Sequence, residues 1–213
     1  MSEEDRPVWR GTSADERVVE RKQRLLVASY GIVGRSGAAA LTVRAVCATA
    51  NVGQRYFYES YPDIEALLGA VYDFAVGQLL AAVAARTDAA GERPLRTRVW
   101  EGLDAAAGFL LDTPACGRIV FVEALSNEVL RTKAAKTLPA FIETVRQVLD
   151  NGVVPDVGAE RARMETSALS GALSMVFADW LADPAAISRH ALVSYCTDVS
   201  LALLALSRPD PLR

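Results

Sequence analysis

Histidine is nearly absent from this chain: one residue, His190, in 213. A pair of histidine ligands is therefore excluded, and His190 stands in a polar stretch where a helix surface is its expected place. Cysteine is scarce as well. Cys47, Cys116 and Cys196 are scattered, odd in number and without metal-ligand spacing, so they form no ligand set. A reducing cytoplasm suits such thiols. Cys47 is expected to pack as a small core residue and Cys196 as core or interface. Cys116 follows Pro114 at a helix start, where a thiol pKa can be lowered. The chain has no Gly-rich phosphate loop and no Gly-x-Ser-x-Gly. No run reaches about 18 apolar residues, so no membrane helix is expected. The charged N-terminus lacks the apolar centre of a secretory signal. No metal, cofactor or catalytic group is called for, and an enzyme is not expected.

What is abundant is Ala and Leu, within a composition that is 51% hydrophobic. Both are strong helix formers, and β-branched runs are few, which predicts an all-α chain. Net charge is −3, but its distribution is uneven. From Arg17 to Tyr58 seven basic residues (Arg17, Arg21, Lys22, Arg24, Arg35, Arg44, Arg55) face one acidic residue, Glu20. From Glu59 onward there are 14 basic and 20 acidic residues. A basic head on an acidic body is the pattern expected when one end meets phosphates; a solvated helix face is the plainer alternative.

Periodicity and breakers divide the chain as follows. Residues 1–14 form a flexible arm. A first helix runs from about Ala14 to Val33, burying Leu25, Leu26, Ser29, Tyr30 and Val33, with Gly31 and Gly34 loosening its end. Thr42 is an N-cap for a short second helix, on which Val43, Val46 and Cys47 make an apolar stripe. Asn51 suits the left-handed turn that follows. Gly53 to Glu59 then places Gln54, Arg55, Tyr56 and Tyr58 on a third short helix. That is a helix-turn-helix, whose second helix fits a DNA major groove. Pro62-Asp63 opens a fourth helix, to about Thr87, with a stripe of Ile64, Leu67, Leu68, Val71, Tyr72 and Ala75. Five body helices are expected after it: Leu95–Leu111; one starting at Thr113-Pro114 and ending near Ser126; one from Glu128 to Asn151, kinked or split at Pro139; Ala159–Ala182; and Ala185 to about Ser207.

The stretch Leu41–Leu68 resembles the DNA-binding domain of TetR-family transcriptional regulators. Thr42-Val43-Arg44, Ala50, Val52, Tyr58, Tyr61-Pro62 and Glu65-Ala66-Leu67-Leu68 carry the resemblance. The family usually has Gly in place of Asn51, Ser in place of Gly53 and Lys in place of Ile64. The first change keeps a turn-compatible residue, the second costs a few tenths of a kcal/mol of capping, roughly, and the third removes a phosphate contact. The resemblance implies an N-terminal helix-turn-helix domain at 15–61 and a C-terminal helical ligand-binding and dimerisation domain at 62–213, with the fourth helix as connector. It also implies a homodimer reading two halves of a near-palindrome, and a repressor released by a small-molecule effector.

In this reading Gln54 and Arg55 reach base edges, since Arg pairs bidentately with guanine and Gln with adenine. Tyr56 meets a base methyl or a phosphate. Tyr58 and Tyr61 lie at the edge of the DNA in proteins of this kind, and Tyr58 is the expected phosphate contact. Thr42 and Arg44 hold the phosphate backbone from the second helix. Phe57 is expected in the core and Glu59 pointing away from DNA, toward arginines of its own domain. An all-helical interaction module whose helix-turn-helix no longer reads DNA is the competing reading.

Candidate pocket residues are Trp100, Asp104, Phe109, Phe121, Glu123, Asn127, Phe141, Phe177 and Trp180, although aromatic residues at helical spacing also describe a plain core. Their character suits an apolar or aromatic effector. Glu123, in the apolar run Ile119–Leu125, must be paired: with an arginine such as Arg118 or Arg146, or with a ligand amine or hydroxyl. A dimer interface is expected on Ala168, Gly171, Ala172 and Met175 and on Leu192, Tyr195, Val199 and Leu203, as a four-helix bundle. Packing inside one subunit would give the same periodicity.

Overall fold

The computed structural model describes residues 14–87, 93–137 and 158–205. Among them are nine helices and no strand. The expected N-terminal arm, Pro139, Phe141 and Arg146 lie outside the described residues.

Helix α1 (Ala14–Ser36) is one turn longer than expected. Leu25, Ser29 and Val33 recur every fourth residue and are buried, and the Ser29 hydroxyl donates to the Leu25 carbonyl at 2.7 Å, so its burial leaves nothing unpaired. Gly34 does not loosen the helix. It lets α1 approach another helix: a Cβ there would stand 3.0 Å from Ala115 Cα. The helix stops at Gly37, whose φ of 83° suits a residue without a side chain.

Three short elements follow. A 3₁₀ turn at Ala38–Ala40 leads to α2 (Val43–Ala50), capped by Thr42, whose Oγ1 accepts from the Ala45 N–H at 3.2 Å. Asn51 takes the left-handed conformation, φ 50° and ψ 51°. Helix α3 (Gln54–Ser60) then turns back onto α1.

Helix α4 (Ile64–Thr87) starts on Asp63, whose Oδ1 accepts from Ala66 N–H at 2.7 Å. By length and composition this helix is apolar enough to cross a membrane. Its apolar side is instead covered within the fold, where Leu67, Leu68, Val71, Tyr72, Ala75, Val76 and Leu79 are buried.

The body is built on α5 (Leu95–Asp112), which packs on α4 and on the last helix. Helix α6 (Pro114–Ser126) follows. Thr113 precedes it as expected, yet its hydroxyl makes no cap bond; the Thr113 carbonyl accepts from Cys116 and Gly117 instead. Between Arg118 and Glu123 this helix widens into a π turn. Helix α7, described over residues 128–137, begins on Asn127, whose Oδ1 accepts from Leu130 N–H at 3.1 Å.

Helix α8 (Ala159–Ala182) and helix α9 (Arg189–Ala205) pack side by side. The last helix starts four residues later than expected. Asp183 Oδ1 accepts from Ala185 N–H and closes a separate turn, and the Ile187 carbonyl is taken by the Trp180 indole N–H at 2.9 Å. Ser188 then provides the cap, accepting from Ala191 N–H at 3.2 Å.

All three thiols are buried. Burial pushes Cys47 up, Cys196 up to about 11 and Cys116 up to about 12. The lowered pKa suggested by the position of Cys116 is therefore corrected: its sulfur faces the Ala75 carbonyl, to which it donates at 3.3 Å, and not a cationic surface.

Two consequences can be measured. Gly→Ala in a helix ordinarily stabilises by about 1 kcal/mol. Gly77→Ala, with nothing within 4 Å of the added carbon, should do so in urea unfolding. Gly34→Ala should do the reverse, because overpacking against Ala115 costs about 1–3 kcal/mol. A raised thiol pKa depletes thiolate, so at pH 8 the native protein should react with a disulfide reagent only as fast as it unfolds. Prompt titration of any thiol in the folded state would contradict the burial.

Candidate nucleic-acid interface

Phe57 is the anchor of the head. It is 0% exposed and lies edge-on to Tyr58, with centroids 5.2 Å apart. Because one side chain of α3 is fixed in the core facing α1, the others are fixed in direction. Gln54, Arg55, Tyr56 and Tyr58 all stand in solvent, Tyr58 at 59% exposure.

Two of these are held in place. The Arg55 guanidinium reaches Glu59 Oε1 at 3.2 Å, one turn along the same helix. Its side chain is 88% exposed, so the pair is worth no more than about 0.5 kcal/mol and is easily exchanged. The Tyr56 ring lies under the Arg21 guanidinium, 4.7 Å from its centroid. That cation–π contact joins α3 to α1 and brings Arg21 to the edge of the exposed face.

Tyr61 is a correction to the set of surface contacts. It is 5% exposed, its ring tilted against Phe57 and covered by Lys22, whose Nζ lies 5.4 Å from the centroid. Burial also pushes its phenol pKa up. Thr42 and Arg44 are exposed at the start of α2. The cap uses one lone pair of the Thr42 hydroxyl and leaves its O–H free to donate.

The basic surplus is not all available. Arg24 donates to the carbonyls of Ala50 and Asn51, at 2.5 and 2.9 Å, and closes the C-terminus of α2. Charge counting in the sequence cannot tell this arginine from Arg44. Arg21 and Lys22 were read only as charge; their spacing one turn before Leu25 on α1 was the signal that they border α3.

In the body the structure brings together Phe121, Phe177 and Trp180. Phe121 and Phe177 stack with centroids 5.6 Å apart, and Trp180 meets Phe177 edge-on at 6.2 Å. Phe109 is half-buried on α5, and Trp100 lies apart from the trio, beside His190 at 6.0 Å. The polar candidates are all engaged. Asp104 receives the Arg189 guanidinium through both oxygens, at 2.7 and 2.5 Å. Asn127 caps α7. Glu123 accepts from Arg118 Nε at 3.0 Å and from the Ala38 N–H at 2.8 Å. Among the described residues, the buried phenols of Tyr30 and Tyr72 find no hydrogen-bond partner, and the apolar stripe of α4 had hidden the second of them.

On the outer side, Ala168, Gly171 and Met175 are exposed along one face of α8, with Ala172 half-buried beside them. Tyr195 is exposed on α9, and Val199 and Leu203 are half-covered. Leu192 does not lie on that face. It is 2% exposed, inside the core of its own chain.

No protein-family model matches the sequence, and no curated protein matches it. Solved structures do. The fatty acid degradation regulator FadR from Bacillus halodurans aligns with a TM-score of 0.65 at 16% identity, over 89% of this chain and 97% of its own. FadR from Bacillus subtilis, in complex with stearoyl-CoA, aligns at 0.62 and 13% identity, over 88% and 99%. A TetR-family transcriptional regulator from Streptomyces coelicolor aligns at 0.61 and 16% identity, over 89% and 82%. The chain has the fold of TetR-type transcriptional regulators, with the N-terminal helix-turn-helix followed by a helical body.

Proposed function

We propose that this chain, on its TetR-type fold, is a DNA-binding transcriptional regulator: a homodimeric repressor that recognises a near-palindromic operator and releases it on binding a small effector. The observation that carries the reading is the set Gln54, Arg55, Tyr56 and Tyr58, standing in solvent on a helix anchored by Phe57. Such a helix can enter a major groove with its first turn against base edges, while Thr42 and Arg44 set register on the phosphates. Arg21 joins Arg44 and Arg55 as a third cation, steered by Tyr56.

The exposed stripe of small residues and Met175 on α8, beside Tyr195 on α9, supports a two-fold bundle as the dimer contact. Phe121, Phe177 and Trp180 suit an apolar or aromatic effector, and the stearoyl-CoA complex of the Bacillus subtilis protein supports an apolar ligand for a body of this shape. This role would place the chain in the cytoplasm and requires no catalysis of it. The Arg55–Glu59 pair favours a second reading, a helical interaction module whose α3 is closed to DNA, because that pair occupies the base-reading arginine.

Selection of duplexes from a random pool separates the two. The regulator should enrich an inverted repeat, and Arg55→Ala should lose selectivity at one base step of each half-site, by about 1–3 kcal/mol per contact, with the fold intact. Arg44→Ala should weaken all duplexes alike and reduce the salt slope by about 1.8 for a dimer, at about 0.9 per phosphate. An Arg55→Ala variant as selective as the parent, or binding indifferent to salt, would remove α3 and the basic face from the interface.

A further inference from the structure

We propose that Glu123 and Arg118, two body residues on α6, are positioning residues for the DNA-contacting head, a proposal that rests on the regulator reading above. The two are five positions apart. On a regular α-helix five residues advance about 500°, so their side chains would point about 140° apart. The π turn at Arg118–Glu123 takes up most of that offset, because its wider i→i+5 bonded turn brings the two residues toward the same face. The pair forms at 3.0 Å across this widened turn.

The paired groups grip the backbone of the head. Glu123 Oε2 accepts from the Ala38 N–H at 2.8 Å, and Arg118 Nη1 donates to the Arg35 carbonyl at 3.1 Å. These are main-chain groups on either side of Gly37, at the corner where α1 ends and the chain turns toward the Thr42 cap. Gly37 is closed in by the same pair: a Cβ there would stand 2.9 Å from Glu123 Oε1 and 3.1 Å from Arg118 Nη2. A carboxylate this deeply buried would be costly without partners, and its partners are one body arginine and one head amide. The clasp therefore holds the corner five residues before Thr42, and with it the direction in which α2 and α3 are presented. Loosening it spreads the head over other orientations, and affinity falls by the fraction still competent to bind.

The test uses the full chain and the duplex that the parent selects from the random pool. Glu123→Gln keeps an acceptor for Ala38 but loses the ionic pair; Gly37→Ala forces the corner away from it. Each should weaken binding about tenfold, and the double variant should be no worse than the poorer single one. A second readout separates positioning from general stability. Spin labels at Ala48→Cys in the head and Ala182→Cys in the body, both exposed sites, can be placed selectively because the native thiols are buried. With labelled chain diluted into unlabelled, the parent should give one narrow distance. Glu123→Gln should broaden it, and the duplex should narrow it again. Affinities within twofold of the parent, or an unchanged distance distribution in Glu123→Gln, overturn the proposal. A parent that selects no duplex overturns the regulator reading itself, a failure distinct from that of the clasp because it precedes any variant.

Discussion

Helix α1 has to serve two sets of neighbours at once, and the rest of the molecule depends on its doing so. It packs on α2 and α3 on the head side and on α4 and α6 on the body side. The second contact is so close that position 34 has no room for a side chain beyond hydrogen. Buried residues therefore run without a break from Val46 and Phe57 in the head to Leu110, Trp180 and Leu192 in the body. A head joined by a linker would move freely; this one is part of a continuous packed interior, where displacement of one element is felt by those it touches.

Four polar side chains in and around that interior serve geometry. Glu123 closes on a backbone amide, Asp104 on Arg189, Asn127 on the start of α7 and Arg24 on the carbonyl end of α2. Each is a residue whose type alone suggests chemistry. Each proves to satisfy a helix end or an ion pair. On α3 and the start of α2, by contrast, Arg44, Gln54, Arg55, Tyr56 and Tyr58 stand exposed, held at most by weak surface contacts.

Local signals made much of this legible in the sequence. The Thr42 cap, the Asn51 turn, the inward Phe57 and the α4 stripe are all set by neighbours within a few residues. What the sequence withheld depends on distant partners. Gly34 reads as a helix breaker until Ala115 is seen against it. Cys116 reads as an activated thiol until the Ala75 carbonyl and the surrounding core are in place. Nothing in Arg118–Glu123 announces a π turn, since its contacts lie 85 and 83 positions away in the chain. The start of α9 was misjudged because Asp183-Pro184 is a good opening on local grounds, while Trp180 claims the Ile187 carbonyl first. Tyr61 falls inside because it follows α3 in extended backbone, where helical periodicity no longer applies, and Leu192 because it lies at the edge of a helix face, where periodicity cannot decide between neighbour and solvent. The thiols carry a related lesson: side chains shut away from solvent say little about the redox state of their surroundings.

The 24-residue α4 runs without interruption from the head into the body, a rod about 36 Å long at about 1.5 Å per residue. Pivoting such a rod by about 5° at its body end sweeps the other end through an arc of about 3 Å, the length of one hydrogen bond. A change in the body too small to disturb its own packing would thus be magnified, at the tip, to a displacement as large as a hydrogen bond is long.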